Sequence, residues 1–139
     1  MACPFFMPLQ RWDAGGWLHP SRLPLGAGWM GQCCAGDEPV QPSHDDMREG
    51  CNMGYALSCD RLPRQRTADA IRFAVVKDAG TSITLGFVCE ANHLPGECGT
   101  FDFSTVQQTW TIAPVDTRMR KMAECYLESY LLVRQGRNR

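Results

Sequence analysis

Hydrophobic and polar residues alternate in the second half of the chain in the manner of a small antiparallel sheet. The clearest segments are AIRFAVV (70–76) and SITLGFVCE (82–90), and the link KDAGT between them predicts a hairpin. GTFDF (99–103) and TWTI (109–112) predict two further short strands. Thr67 also suits the N-cap of a short helix, which gives the first segment a second interpretation. Taken as strands, the four segments form an antiparallel meander.

After the last of these segments the hydrophobic positions recur at helical spacing. Between residues 117 and 134, apolar or aromatic side chains return every three or four positions, while charged residues occupy the other faces. The residues of this stripe are Met119, Met122, Tyr126, Tyr130 and Val133. The spacing predicts a C-terminal α-helix that packs on the sheet.

Residues 1–66 follow neither pattern for long. They hold five of the eight cysteines, seven of the nine prolines and three of the four tryptophans. In AGGWLHPSRLPLGAGW, glycine and proline recur so often that regular secondary structure cannot extend far. We therefore expect an α+β protein in which a loop-rich, cysteine-ligated N-terminal region (1–66) packs on the antiparallel meander and C-terminal helix (67–139) to form one compact domain.

One helix is expected within this loop-rich region. Ser43 is a good N-cap and Asp46 lies at the capping-box position three residues later. The helix would run through Met47 and Cys51, and Gly54 would end it in the left-handed conformation. Cys51 and Cys59 would lie about 12 Å apart on one straight helix, so a shared site requires the break at Gly54 and a loop that returns Cys59 toward Cys51.

Charge and hydropathy exclude several classes of partner. The chain carries 14 Lys and Arg against 15 Asp and Glu, which gives no general attraction to nucleic acid. No apolar window reaches the length of a membrane span, and the N-terminal residues lack the pattern of a secretory leader. We therefore expect a cytoplasmic protein. In a reducing compartment, eight cysteines indicate metal binding, reactivity or burial rather than disulfides.

The cysteines divide into two groups by context. Cys89 on a strand and Cys125 in the helix are expected to be buried, and Cys98 in a turn is expected to be exposed. The others lie in loops or at a predicted helix end, where ligands are usually placed. The expected ligand set is Cys3, Cys33, Cys51 and Cys59, with Cys34 as the substitute for Cys33 because adjacent side chains seldom serve one centre together.

Spacing favours an iron–sulfur cluster over zinc as the occupant of this set. Structural zinc sites usually contain ligand pairs two to four residues apart, and the chain has no C-x-x-C. Four thiolates hold a [4Fe–4S] cluster, and proline follows Cys3 as it follows a ligand in ferredoxin runs. Nearby aromatic residues would supply an apolar shell, although they suit a small core equally well.

These residues predict a small electron-transfer protein, a carrier or a subunit that works with a redox protein partner. Four cysteine ligands leave no iron open to substrate, which argues against an enzyme. The alternative is a zinc-stapled protein interaction module without redox activity. A third hypothesis is a metal-free adaptor whose cysteines are simply buried.

Other chemistry has little support in the sequence. His19, His44 and His93 are isolated, although His19 is close enough to the cysteine-rich segments to be an alternative ligand. The chain has no phosphate-binding glycine loop, no GxSxG and no CxxCH. The tripeptide RLP occurs at 22–24 and again at 61–63, each copy near a cysteine in sequence.

Overall fold

The N-terminal region contains a two-stranded antiparallel sheet that the sequence pattern did not predict. In the computed structural model, which describes residues 1–13, 17, 19, 22–54 and 59–137, strand β1 (Phe6–Arg11) pairs with strand β2 (Trp29–Cys33). Phe6 lies opposite Cys33, and the register shifts after Pro8. The strands are short and distant in sequence, so alternation alone does not reveal them.

The predicted helix follows, with a wider turn than expected. Helix α1 (His44–Asp46) begins after Ser43, whose hydroxyl accepts a hydrogen bond from the Asp46 N–H at 3.1 Å. It continues as a π-helical turn, Met47–Cys51. Gly54 then adopts a φ of 71°, which confirms the predicted glycine break between Cys51 and Cys59.

The four alternating segments form one antiparallel sheet in sequential order, as predicted. Its strands are β3 (Ala70–Asp78), β4 (Ser82–Ala91), β5 (Leu94–Ser104) and β6 (Thr109–Ile112). The segment that offered two interpretations is a strand. The side chain of Asp69, just before it, accepts a hydrogen bond from the Asn92 N–H at 2.9 Å, which ties the start of β3 to the turn after β4.

The C-terminal helix α2 (Thr117–Arg137) packs on this sheet, which confirms the α+β prediction. Asp116 caps it by accepting hydrogen bonds from the backbone of Arg118 and Met119 at 2.8 and 3.1 Å. The rings of Phe73 and Tyr126 lie 6.0 Å apart across the helix–sheet contact. No helix in the described ranges combines the length and the apolar character needed to cross a membrane.

A single hydrophobic cluster joins the two regions. Phe6, Trp29 and Met47 from the first 66 residues belong to the same buried cluster as Ile71 and Met122. The backbone of Ala2 also pairs with Ile71 through two hydrogen bonds of 2.8 Å. The N-terminal segment that carries Cys3 is therefore held against the edge of the four-stranded sheet.

Candidate functional site

Four cysteines line one cavity of about 300 Å³ in the N-terminal region. They are the four members of the expected ligand set: Cys3, Cys33, Cys51 and Cys59. The cavity reaches the surface, because three charged residues that line it, Asp46, Glu49 and Arg61, are exposed. We refer to this space as the cysteine cavity.

Backbone hydrogen bonds fix three walls of the cysteine cavity relative to one another. The N–H of Cys3 donates to the carbonyl of Cys51 at 3.1 Å, which joins the N-terminal segment to the π-helical turn. Cys33 is the last residue of β2 and lies opposite Phe6. The N–H of the next residue, Cys34, donates a hydrogen bond to the carbonyl of Phe5 at 2.8 Å. These contacts bring Cys3 close to Cys33 and to Cys51, which follow it by 30 and 48 positions in sequence.

Cys59 reaches the same cavity from the segment after Gly54. Residues 55–58 lie outside the described residues, and the chain is described again from Cys59. The N–H of Leu62 donates to the Cys59 carbonyl at 3.2 Å, which closes a turn there, and Leu62 also lines the cavity. The return of Cys59 toward Cys51, which the sequence argument required, is present in the structure.

Cys33, and not Cys34, faces the cysteine cavity. Cys33 is buried, whereas Cys34 is partly exposed and is absent from the cavity lining. Cys34 instead interacts electrostatically with Arg118 and Asp116, which lie at the N-terminal end of α2. Successive side chains along a strand point in opposite directions, so only one of these two adjacent thiols can face the cavity.

The other sequence candidates lie elsewhere. His19, His44 and His93 are exposed, and in the described part of the chain no histidine lines the cysteine cavity. Cys89 and Cys125 are 8% and 2% exposed and Cys98 is exposed, as predicted.

Only part of the expected aromatic shell surrounds the cavity. Phe5 and Phe6 line it, whereas Trp12 and Trp29 belong to the buried core. Trp17 packs edge-on against Trp12 at 5.9 Å between ring centroids. The structure therefore favours a role for the tryptophans in the hydrophobic core over a role in a shell around the cavity.

Burial and mutual repulsion favour the protonated thiols of Cys3 and Cys51. Burial first, and then repulsion from Cys3, Cys33, Cys59 and Asp46, raise the pKa of Cys51 to about 12. Burial also raises the pKa of Cys3, although a hydrogen bond to the backbone of Phe5 opposes this. A strong positive charge beside Cys3 and Cys51, such as a metal centre supplies, would offset this and favour their thiolates.

An ion pair on the rim was not anticipated from the sequence. Arg61 donates a hydrogen bond to the Asp46 carboxylate at 3.2 Å, and both residues line the cavity. Asp46 was expected only to favour the start of the helix. The sequence feature that could have drawn attention to Arg61 is the second RLP tripeptide, whose first residue is Arg61. Arg22, which begins the first copy, is exposed and is not part of the cavity lining.

The cysteine side chains share a cavity without forming a bonded ligand set. Within the described ranges, no three His, Cys, Asp or Glu side chains are arranged to hold a metal ion. All eight cysteines are free thiols.

No protein-family model, curated protein or solved structure matches this chain. The evidence for a function therefore comes from the cysteine cavity and its lining residues.

Proposed function

We propose that this protein binds one [4Fe–4S] cluster through Cys3, Cys33, Cys51 and Cys59 and transfers single electrons to or from a redox protein partner. The observation that supports the proposal is the common cavity of these four cysteines, which come from four separate segments. A metal-free adaptor with buried cysteines gives no reason for four distant thiols to line one space. Cys89 and Cys125, by contrast, are buried in the hydrophobic core and do not line this cavity.

The size of the cavity favours a cluster over a single ion. Its volume is about 300 Å³, whereas about 10 to 15 Å³ of such space is enough for one water-sized group. Four thiolates satisfy a cubane cluster, and the same four would also satisfy tetrahedral zinc at shorter sulfur–sulfur distances. In both cases the side chains must turn toward a common centre, and rotation between staggered rotamers moves a cysteine sulfur without moving its own backbone.

The ligand count favours electron transfer over catalysis. With four cysteine ligands, each iron of the cluster has a protein ligand and none is open to substrate. The exposed residues at the rim bring the cavity to the surface, where a partner could approach. We also propose a cytoplasmic location, since free thiols persist in a reducing compartment.

The deciding experiment is anaerobic purification followed by iron, sulfide and zinc analysis and a visible spectrum. A cluster predicts about four irons and four sulfides per chain and a broad absorbance that dithionite bleaches. A colourless protein with about one zinc would replace electron transfer by the interaction-module hypothesis. A protein with neither metal would leave the cysteines as buried side chains.

Alanine variants test the ligand assignment. Cys33→Ala should lose most of the bound iron, while the neighbouring Cys34→Ala should keep it. Cys98→Ala is a second control because Cys98 is exposed and remote from the cavity lining. Equal iron loss in Cys33→Ala and Cys34→Ala would contradict the assignment.

A further inference from the structure

The Asp46–Arg61 ion pair joins the two chain segments that deliver Cys51 and Cys59. Asp46 is the last residue of α1, which leads through the π-helical turn to Cys51, and Arg61 follows Cys59 by two residues. The guanidinium nitrogen lies 3.2 Å from the carboxylate oxygen. The pair thus places one positive and one negative charge on the rim of the cysteine cavity.

We propose that these two residues set the reduction potential of the site in opposite directions, Arg61 raising it and Asp46 lowering it. The inference rests on the proposed cluster and deepens it by assigning the charges that tune its redox equilibrium. Neither residue is a ligand. Both act on the cluster through space.

The physical reason is the charge that reduction adds. One extra electron makes the cluster and its four thiolates more negative, so a nearby cation stabilises the reduced state and a nearby anion destabilises it. Arg61 interacts electrostatically with both Cys59 and Cys33, and Asp46 with Cys51. Among the described residues, other charges near the site include Glu49, which lines the cavity, and Arg118, which interacts electrostatically with Cys3.

Solvent limits the size of both effects. The Arg61 and Asp46 side chains are 40% and 54% exposed, so water and salt screen their fields. We expect the shifts to be larger at low ionic strength than at high ionic strength.

The test is a redox titration of the purified holoprotein and of the variants Arg61→Gln and Asp46→Asn. Arg61→Gln should lower the midpoint potential and Asp46→Asn should raise it. Both variants break the same ion pair, so a purely structural role would shift the potential in the same direction in each. Opposite shifts therefore identify the electrostatic role.

Two further variants control for folding and for general loss of charge. Arg61→Lys keeps the positive charge and should stay near the wild-type potential. Arg48→Gln removes an arginine of similar exposure, 43%, that pairs with Asp45 at 3.4 Å but does not line the cavity. Its shift should be smaller than that of Arg61→Gln.

The outcomes separate the two proposals. A wild-type protein without iron and sulfide overturns the proposed cluster, and the role of Arg61 and Asp46 with it. A wild-type protein that holds the cluster, with unchanged or equally directed potentials in Arg61→Gln and Asp46→Asn, overturns the role of the ion pair alone. If Arg61→Gln fails to bind iron, the potentials of Asp46→Asn and Arg61→Lys decide the question. A raised potential in Asp46→Asn together with a near-wild-type potential in Arg61→Lys supports the role of the ion pair. Any other result overturns that role.

Discussion

The side-chain amide of Asn52 pairs with both backbone groups of Trp29. Its oxygen accepts a hydrogen bond from the Trp29 N–H and its nitrogen donates to the Trp29 carbonyl, each at 3.0 Å. The same nitrogen also donates to the Met47 carbonyl at 2.8 Å. Asn52 follows Cys51, and Trp29 begins the strand that ends at Cys33. This buried amide therefore fixes the distance between two walls of the cysteine cavity.

Removal of this amide should destabilise the N-terminal region. Asn52 is 1% exposed, so Asn52→Ala leaves buried backbone groups of Trp29 and Met47 without their partner. We expect a loss of about 2 to 3 kcal/mol in the free energy of unfolding, because unsatisfied buried polar groups typically cost about 1 to 3 kcal/mol. Urea unfolding followed by circular dichroism measures it. Gln65→Ala, at an exposed amide, is the control, and equal stability of the two variants would contradict the role of Asn52.

Asn52 illustrates why part of the site could not be predicted. An asparagine at the end of a helical turn gives no sign in the sequence of being buried, because burial depends on the partners that the fold supplies. The β1–β2 hairpin was missed for a related reason: its strands are separated by residues 12–28, and each contains a residue unfavourable to strands, Pro8 or Gly31. Long-range pairing of this kind leaves little local signal.

The elements that were predicted have local causes. The alternation in β4 follows from one buried face, and its residues Ile83 and Leu85 are fully buried. The start of α1 follows from the cap at Ser43, and the break after the π-helical turn follows from the left-handed backbone of Gly54. The spacing of Cys51 and Cys59 indicated a shared site only because that glycine break was expected between them.

The break itself gives a second prediction. Gly54 has a φ of 71°, and a Cβ placed there would lie 2.4 Å from the carbonyl oxygen of Met1. Gly54→Ala should therefore combine the left-handed strain of about 1 to 2 kcal/mol with a backbone clash. We expect a lower melting temperature and weaker metal binding, measured by thermal unfolding and iron content.

Gly80 separates the two causes. It has a φ of 82°, but a Cβ there would meet nothing within 4 Å. Gly80→Ala should show the strain alone and leave iron content unchanged. If Gly54→Ala is no more destabilising than Gly80→Ala, the contact with Met1 has no energetic importance.

Thiol reactivity should follow burial, and it gives a third prediction. Cys98 is exposed, whereas Cys125 is 2% exposed and burial raises its pKa to about 12. Because the thiolate is the nucleophile, iodoacetamide at pH 8 should label Cys98 in the folded protein and leave Cys125 unmodified until urea is added. Peptide mass spectrometry measures both sites in one sample. Rapid labelling of Cys125 without denaturant would contradict the packing of α2.

The acid stability of the fold should depend on Asp69, which is 7% exposed. A hydrogen bond from the Asn92 N–H, and then the Arg66 guanidinium, hold the pKa of Asp69 below its ordinary value of 3.8. The unfolded chain therefore binds this proton more readily than the folded one. The stabilisation is complete above the ordinary pKa and is lost as the pH falls through the lower folded value.

Asp69→Asn should therefore lower the free energy of unfolding by about 1 to 3 kcal/mol at pH 7. This difference from wild type should shrink below pH 4. Arg66→Gln keeps the Asn92 hydrogen bond and should retain part of this pH dependence, measured by urea unfolding at pH 7 and pH 3. A difference between wild type and Asp69→Asn that is equal at both pH values would show that the charge of Asp69 does not stabilise the fold.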